Sequence, residues 1–433
     1  MSGASPSSER ASTCHVRTVT LGFDPEQGSP TSREREIPRF FASAERLFVQ
    51  AERPLRTRRL VLPAMNDRPR FSRTNHLSIV KWVADLAASA GARWFCVPFT
   101  LSGADPELAT ATALEVVRRH DRAFVNLKIA EGGQIQRAGI LEVARFVLAV
   151  SRQSRNGYDN FRVGASCNCP AGTPFFPFTH HDGGADSFAI ALELPGQFAR
   201  VLDESAGLPL PELREHLCAR LEQELRLIDG LGLQLEQNTG VAYRGIDASL
   251  APYPEPNGSV AQLLERLGVD DYGTSGTLFF TAFLSDVLRA SLQRSGARSV
   301  GFNGVMASLL EDPKLAECCS RKTFEMDALL SFAAVCGCGL DMVPIPGDAY
   351  PEEIASLMLD VAGMSSALGK PLGVRLLPIP RKTSNEMTDF GHDFFHNCRV
   401  LPLRNRSVAR HLFADPPFSL LSPLKPLAEE PPR

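Results

Sequence analysis

Ten short runs of apolar and β-branched residues recur along this chain, and longer amphipathic segments separate most of them. The runs are "HVRTVTLGF", "TRRLVLPAM", "RWFCVPF", "AFVNLKI", "FRVGAS", "SFAIALE", a segment near "VAYRGID", "SVGFNG", "GLDMVPI" and "PLGVRLLPI". Strands that alternate with helices are typical of parallel sheets, because each parallel connection must cross back over the sheet. Ten such strands predict a closed or nearly closed α/β barrel.

The connecting helices have recognisable ends. "SIVKWVADLAASAGA" ends at Gly91, "DPELATATALEVVRRH" begins with Asp105 as a cap, and "PEEIASLMLDVAGMSSALGK" begins at Pro351. Two further helical segments, 194–204 and 210–230, separate "SFAIALE" from "VAYRGID". This longer crossover predicts that two halves of the barrel meet near residues 205–240.

Composition bounds the size and the environment of the fold. A chain of 433 residues with 44% hydrophobic and 22% charged residues has a globular composition. We expect one domain over residues 14–400, a flexible polar segment at 1–13 and a Pro-rich tail at 401–433. The polar N-terminus, the lack of a long apolar run and the dilute cysteines predict a cytoplasmic protein with no membrane partner.

Charge and motifs exclude several function classes. The formal net charge of −3, from 46 basic and 49 acidic residues, gives no footprint for nucleic acid and favours a small neutral or anionic ligand. "GMSSALGKP" has the wrong spacing for a phosphate-binding loop, and "GLGLQL" lacks the third glycine of a dinucleotide fingerprint. The chain therefore has no nucleotide cofactor motif, and it also lacks H-E-x-x-H and the G-x-S-x-G elbow.

Polar residues follow directly after the predicted strands, where parallel α/β proteins bind their ligands. We predict that such residues, together with two from the loop after "FRVGAS", bind substrate. The set is Asn66, Arg68, Glu131, Thr173, Phe175, Asn303 and Arg381. Asn303 lies in an Asn-Gly pair, so it is either an oxyanion donor or a turn residue.

The loop "CNCPAGTPFFPFTHHDGG", residues 167–184, concentrates ionisable side chains. His180 or His181 would act as a base near neutral pH, and His181 with Asp182 would bind zinc, manganese or iron. Adjacent residues of an extended loop point oppositely, so only one imidazole is expected to enter a given pocket. The alternative is a solvated His-His-Asp turn.

Asp247 and Asp341 each follow an apolar run and are candidate general acids or bases. Burial would raise the pKa of such a carboxyl, whereas an arginine partner, here Arg244 or Arg381, would lower it. Oxygen ligands from both aspartates would suit magnesium or calcium. The structural alternative is that each carboxylate caps local backbone amides.

Two C-x-C pairs, Cys167/Cys169 and Cys336/Cys338, are the most distinctive cysteine features. Four thiolates would hold a tetrahedral zinc, but structural zinc sites usually place two or more residues between cysteines. The alternative is that the thiols are buried packing groups.

Four segments in order, "NFRVGASCNCPAGTPFFPF", "RGIDASLAPYPEPNGSVAQLLERLG", "GFNGVMASLLEDPKLAE" and "CGLDMVPIPGD", resemble the DUF711 or UPF0210 family. The resemblance runs from "VRTVTLGFD" to "TDFG". It implies a ten-stranded α/β barrel of two half-sheets, like that of the pyruvate formate-lyase and ribonucleotide reductase superfamily. It also implies a separate ACT-domain partner and makes Cys336 the candidate nucleophile or redox thiol. The contexts of Gly373 and Gly391 argue against a glycyl radical.

We therefore predict an enzyme that acts on a small polar or anionic metabolite by acid/base chemistry. Its predicted catalytic residues are His180, His181, Asp247, Asp341 and Cys336. The alternative is a non-catalytic metabolite-binding or regulatory protein on the same barrel, which would bind its ligand without forming product. Further copies of the chain are the other expected partner.

Overall fold

The computed structural model describes residues 14–255, 257–404, 410–413 and 417–420. The predicted flexible segment at 1–13 and most of the predicted tail lie outside these residues. Within them the strands are β1 (His15–Gly22), β2 (Leu55–Val61), β3 (Trp94–Thr100), β4 (Ala123–Glu131), β5 (Gln134–Ile135), β6 (Val163–Cys167), β7 (Ser187–Glu193), β8 (Ala242–Asp247), β9 (Gly339–Pro346), β10 (Leu372–Ile379) and β11 (Phe418–Ser419).

Helices occupy most of the connections between the strands. They are α1 (Pro30–Gln50), α2 (Arg73–Ser89), α3 (Pro106–Arg119), α4 (Arg137–Ser151), α5 (Pro195–Glu204), α6 (Leu210–Thr239), α7 (Val260–Arg266), α8 (Thr277–Ser295), α9 (Pro313–Ser320), α10 (Met326–Ala333) and α11 (Pro351–Leu368). The predicted start of α3 is confirmed, because the Asp105 side chain accepts from the backbone of Glu107 and Leu108. No helix within the described ranges is long and apolar enough to cross a membrane.

The strands form one sheet in the order β8-β7-β1-β2-β3-β4-β6-β10-β9, with β5 and β11 beside β4. Strands β1, β2, β3, β4 and β6 are mutually parallel. The parallel pairs β7/β8 and β9/β10 flank this block, and each joins it through an antiparallel ladder. Every residue of β7, β9 and β10 is buried, as expected for strands covered on both faces.

The predicted α/β class is confirmed, but the ladder of regular strands is open between β8 and β9 in the described part of the chain. The predicted strand at "SVGFNG" forms isolated parallel bridges, Ile246 to Ser299 on one side and Ser308 to Asp341 on the other. Glycine and asparagine at 301, 303 and 304 break the extended run, and Gly301 and Asn303 have positive φ angles.

Residues 168–186, which connect β6 to β7, form a segment that we call the crossing loop because it passes over the inner face of the sheet. Its carbonyl groups at Pro174 and Thr179 accept hydrogen bonds from Thr20 of β1 and Asn126 of β4, at 3.3 and 3.0 Å. Gly164 allows this close approach, since a Cβ there would lie 2.4 Å from Pro177. The crossing loop thus lies between the end of the sheet where β1 to β4 begin and the end where they finish.

Candidate functional site

A pocket of about 280 Å³ lies on one side of the crossing loop, where β1 to β4 begin. We call it the arginine pocket. Its walls combine arginines, aromatic rings and two carboxylates. They include Arg17, Arg56, Arg59, Arg93, Trp94, Phe124, Phe161, Phe175, Phe176, Tyr253, Glu311, Cys338, Asp341, Arg375 and Phe394.

Arg59 is the side chain that most constrains the chemistry of this pocket. It projects from β2 into the interior, and none of the described carboxylates forms an ion pair with it. Among the described residues its Nε, which is buried, has no hydrogen-bond partner, and its Nη1 donates a single long bond, 3.4 Å, to the carbonyl of Pro174. Burial, with the nearby charge of Arg17, lowers the pKa of Arg59 to about 9, so the guanidinium remains charged at neutral pH.

Two further arginines of the pocket also lack an ion pair with the described carboxylates. The Arg17 guanidinium donates to the carbonyl of Pro252 at 2.9 Å and lies 5.6 Å from the ring centre of Phe175. Arg93, at the exposed rim, lies 5.2 Å from the ring centre of Trp94. Their positive charges are therefore held by aromatic faces rather than neutralised.

The other charges in the pocket are paired. Arg375 donates to both carboxylate oxygens of Asp341, at 2.6 and 2.8 Å, and lies 3.6 Å from Glu311. An arginine partner was one of the alternatives for Asp341 and is present, but it is Arg375 and neither Arg244 nor Arg381. Arg375 and Asp341 lie on the neighbouring strands β10 and β9, a pairing that local sequence does not encode.

The predicted residues at the carboxyl ends of β2, β3 and β4 lie at the opposite end of the sheet. Asn66 exchanges two hydrogen bonds with the backbone of Thr100, at 2.8 and 3.0 Å, and the Thr100 hydroxyl donates to Glu131 at 2.6 Å. Arg68 pairs with Asp24 at 2.9 Å and with Glu26. Asn66 and Thr100 thus join the ends of β2 and β3, and Thr100 with Glu131 joins the ends of β3 and β4. Arg68 connects the loop after β2 to the loop after β1.

A second pocket, of about 260 Å³, lies among these strand ends and includes Lys128, Glu131, Cys169 and His180. The Nδ1 atom of His180 is buried without a hydrogen-bond partner in the described residues. Burial, reinforced by the charge of Lys128, lowers the pKa of His180 to about 3. The imidazole is therefore neutral at physiological pH and is a weak base.

His181 is buried, and both of its ring nitrogens have local partners. Nδ1 accepts from the backbone of Gly183, and Nε2 lies 3.2 Å from the carbonyl of Ala185. Burial lowers its pKa too. Asp182 pairs with Arg244 and also lies 3.6 Å from Nε2 of His181. Within the described ranges no group of three or more His, Cys, Asp or Glu side chains is arranged to hold a metal, so a metal at His181 and Asp182 stays a prediction.

Asp247 is fully buried at the end of β8 and lies outside the arginine pocket. Its carboxylate accepts from the hydroxyl and the backbone of Ser249 and from the backbones of Phe302 and Asn303, at 2.6 to 3.2 Å. Burial still raises its pKa to about 6. The amide oxygen of Asn303 accepts from Ala248. Asp247 thus bonds to the nearby Ser249 and to the backbone of Phe302 and Asn303, which are distant in sequence. Its role as a general acid or base stays a prediction.

The cysteines of each C-x-C pair face different surroundings. Cys338 lines the arginine pocket and Cys169 lines the second pocket, whereas Cys167 and Cys336 line neither. A hydrogen bond from Cys338, with Lys370 nearby, lowers the pKa of Cys336. All ten cysteines are buried and none forms a disulfide, which supports the interpretation as packing groups.

The remaining predicted binding residues differ in position. Phe175 lines the arginine pocket. Thr173 is buried and its hydroxyl donates to the carbonyl of Pro170 at 2.8 Å. Arg381 is exposed in the turn after β10, with a positive φ angle.

Sequence reasoning missed the arginines of the pocket. The available signal was "TRRLVLPAM", a run predicted to be a strand that nevertheless contains two adjacent arginines, Arg58 and Arg59. Charged residues in a strand covered on both faces must either pair or face a cavity. Arg56 and Arg59 lie within β2, so a prediction confined to strand ends did not include them.

The fold and the pocket together define an α/β protein with an interior cavity that presents unpaired arginines and aromatic rings. A family model described as "Uncharacterised ACR (DUF711)" matches residues 10–397, so the chain belongs to the DUF711 family. It is similar to UPF0210 proteins, with 33% identity over 232 residues to that of Pyrobaculum islandicum, 30% over 288 residues to that of Pyrobaculum aerophilum and 26% over 264 residues to one from Lactobacillus delbrueckii subsp. bulgaricus.

These matches are partial in length. They cover 53%, 64% and 60% of this chain and 52%, 64% and 59% of the respective relatives. The chain thus matches about half to two thirds of the length of these curated relatives. Their names state no reaction, so the activity has to be argued from the pocket.

Proposed function

We propose that this protein is an enzyme that acts on a small anionic metabolite, bound in the arginine pocket, by acid/base chemistry. Arg59 carries the proposal. Arg59 as a whole is partly exposed to the cavity, but its Nε is buried, and none of the described carboxylates forms an ion pair with its guanidinium. A buried charge without a partner is costly, and proteins usually keep such a group where a ligand supplies the opposite charge.

The surrounding charges support an anion rather than a cation. Arg17 and Arg93 also form no ion pair with a described carboxylate, although the charge of Arg17 acts on Glu193. Both arginines add to the positive potential at Arg59, which Glu311 offsets in part. Positive charges in a concave, partly desolvated site attract an anion and hold it more strongly than they would at the surface. Arginine also offers paired N–H donors to one carboxylate or phosphate.

Glu311 is the best candidate for the acid or base in this pocket. It accepts a hydrogen bond from Ser308 at 3.0 Å and lies 3.6 Å from Arg375, so its carboxylate keeps accepting capacity. Asp341 is already engaged by two short bonds from Arg375. His180 and His181 lie outside the pocket lining, so we assign the proton-transfer role to Glu311.

Ligand-induced stabilisation tests the binding part of the proposal. We would measure thermal unfolding of the full chain with a library of small carboxylates and phosphates. A ligand at about 100 times its dissociation constant should stabilise the protein by about 2.7 kcal/mol. If no anion stabilises the wild-type protein, the proposal fails.

Arg59→Met gives the site-specific test, with Arg152→Met at an exposed helix end as the matched control. Arg59→Met should abolish stabilisation by the anion while leaving the free energy of unfolding of the unliganded protein unchanged or higher. That combination identifies a residue kept for a ligand. Equal anion binding by the two variants would contradict the proposal.

Turnover separates an enzyme from the alternative, a non-catalytic binder. With the ligand identified, Glu311→Gln should lower the rate by about 10²- to 10⁴-fold and change the dissociation constant far less. Saturable binding by the wild-type protein without any product would favour the binder.

We also propose that the sheet closes into a ten-stranded barrel like that of the pyruvate formate-lyase superfamily. The strand order supports this, with five parallel strands in one half and β7, β8, β9 and β10 in the other. The segment 299–308 would be the tenth strand, since Val300 donates to Ile246 and Leu309 donates to Asp341. Slow amide exchange at Val300 and Leu309 is expected, and exchange at unstructured rates would contradict closure.

Location and partners follow as separate proposals. Ten buried cysteines without a disulfide support a reducing, cytoplasmic compartment. An ACT-domain partner rests on the family resemblance, and self-association rests on the sequence-based expectation. Cell fractionation, light scattering and co-purification with a separately expressed ACT-domain protein would test the three in turn.

A further inference from the structure

We propose that the ligand of the arginine pocket is a small aromatic carboxylate. This inference rests on the proposed function, because it names the class of anion that the same pocket binds. It is carried by a second observation, the arrangement of aromatic rings around the unpaired arginines.

One wall of the pocket is a cluster of aromatic rings. Phe124 has its ring centre 5.4 Å from Trp94, 5.2 Å from Phe161 and 5.4 Å from Phe176, all in edge-to-face geometry. Such rings pack favourably against the edge or face of another aromatic ring. This wall therefore offers a flat ligand a largely apolar surface, since its three phenyl rings have no hydrogen-bonding group.

Other parts of the lining are also aromatic. Tyr253 and Phe394 have ring centres 6.0 Å apart, and Phe175 of the crossing loop also lines the cavity. At about 280 Å³ the cavity lies at the small end of ligand sites. A compound with one or two rings fits such a space.

Each unpaired arginine lies close to at least one of these rings. Arg59 is 5.0 Å from the ring centre of Phe176, Arg17 is 5.6 Å from Phe175, and Arg93 is 5.4 Å from Phe394. Any anion bound by one of these guanidinium groups must therefore also lie close to an aromatic ring. A ligand with a carboxylate at one end and an aromatic body would pair with the guanidinium and also pack against the ring.

Other small ligands fit less well. Phosphate or an aliphatic polyacid would bury polar oxygens against phenyl rings that cannot hydrogen-bond them, which costs free energy. A neutral aromatic compound would leave Arg59 unpaired. The lining of the pocket thus favours a ligand that carries both a negative charge and an aromatic ring.

Calorimetry with matched ligands tests the inference on the full chain. The probes are benzoate and phenylacetate, their cyclohexyl counterparts, their amides, acetate and inorganic phosphate. Each aromatic carboxylate should bind about fivefold more tightly than its cyclohexyl counterpart, since an aromatic contact contributes about 1 kcal/mol. It should also bind more tightly than its amide, which lacks the charge that would pair with Arg59.

Variants connect the preference to the pocket. Phe176→Leu and Phe394→Leu should each reduce the ratio of aromatic to cyclohexyl binding, whereas Phe279→Leu, at an exposed ring on α8, should leave it unchanged. Phe394 is only half-buried, so its variant keeps the test valid if Phe176→Leu does not fold.

The outcomes distinguish the aromatic carboxylate from the anion site on which that inference rests. Equal binding of aromatic and cyclohexyl acids, tighter binding of phosphate, or a preference that survives both pocket variants would overturn the aromatic ligand and leave the anion site standing. Failure of every anion to bind, in this set and in the wider library, would overturn both.

Discussion

Arg375 and Asp341 form a two-point ion pair inside the arginine pocket, with both side chains less than a tenth exposed. Arg375 also donates to the carbonyl of Phe161 at 3.2 Å. The pair thus joins β9 and β10 to the turn before β6 and positions Arg375 next to Glu311. Because both charges are buried, each is stabilised mainly by the opposite charge of the other.

Asp341→Asn should therefore destabilise the protein strongly. Loss of one partner from a buried ion pair costs about 3–5 kcal/mol when the other charge is left alone, and the longer 3.6 Å contact with Glu311 should offset only part of that loss for Arg375. Urea unfolding would measure the loss. Asp327→Asn is the control, since the Asp327–Arg404 pair is exposed and should contribute less than about 1 kcal/mol. Similar losses in the two variants would contradict the structural role.

Gly301→Ala should be far more destabilising than a glycine substitution of the same backbone type. Gly301 has a φ of +88°, and a Cβ there would lie 2.1 Å from a carboxylate oxygen of Asp247. Gly268 has a φ of +92° with no atom within 4 Å of that position. Gly268→Ala should thus lose about 1–2 kcal/mol from backbone strain alone, and Gly301→Ala clearly more. Equal losses by urea unfolding would exclude the clash.

His180 should make stability depend on pH. Its folded-state pKa of about 3 lies below the ordinary value, so the unfolded chain binds a proton near pH 6.5 that the folded protein does not. The contribution is present above about pH 6.5 and is lost as pH falls. The difference in free energy of unfolding between wild type and His180→Gln should thus fall by about 1 kcal/mol from neutral pH to about pH 5.5. A difference independent of pH would contradict a neutral buried imidazole.

The thiols should be unreactive in the folded protein. All ten are buried, and access controls reaction as much as thiolate content does. Alkylation followed by mass spectrometry should label none under native conditions and all ten in concentrated guanidinium. Rapid native labelling of Cys336, whose pKa is lowered, would show that its surroundings open.

Local features of the chain were predicted well. Asp105 caps α3 and Pro351 begins α11, because a cap needs only neighbouring backbone amides. Nine of the ten predicted strands occur as ladder strands. The exception, "SVGFNG", contains glycines and asparagine whose backbone angles depend on the bridges that the segment makes with β8 and β9.

The candidate site was predicted less completely. Phe175 and Asp341 line the arginine pocket, and Glu131 and His180 line the second pocket. The arginines of the pocket were not predicted, because they are distinguished by the lack of an ion-pair partner among the described residues. A sequence shows that Arg59 is present in a strand, but only packing shows that no described carboxylate reaches it.

The sequence by itself determined the α/β class, the helix ends and the family, because each depends on residue patterns within a short window or along the chain. Tertiary structure decided which charges are neutralised. Arg375 pairs with Asp341 across two strands, while Arg59 of β2 contacts the carbonyl of Pro174 and the ring of Phe176 and forms no ion pair with a described carboxylate. Electrostatic pairing acts over a few ångströms in space, and the fold alone sets which residues come within that distance.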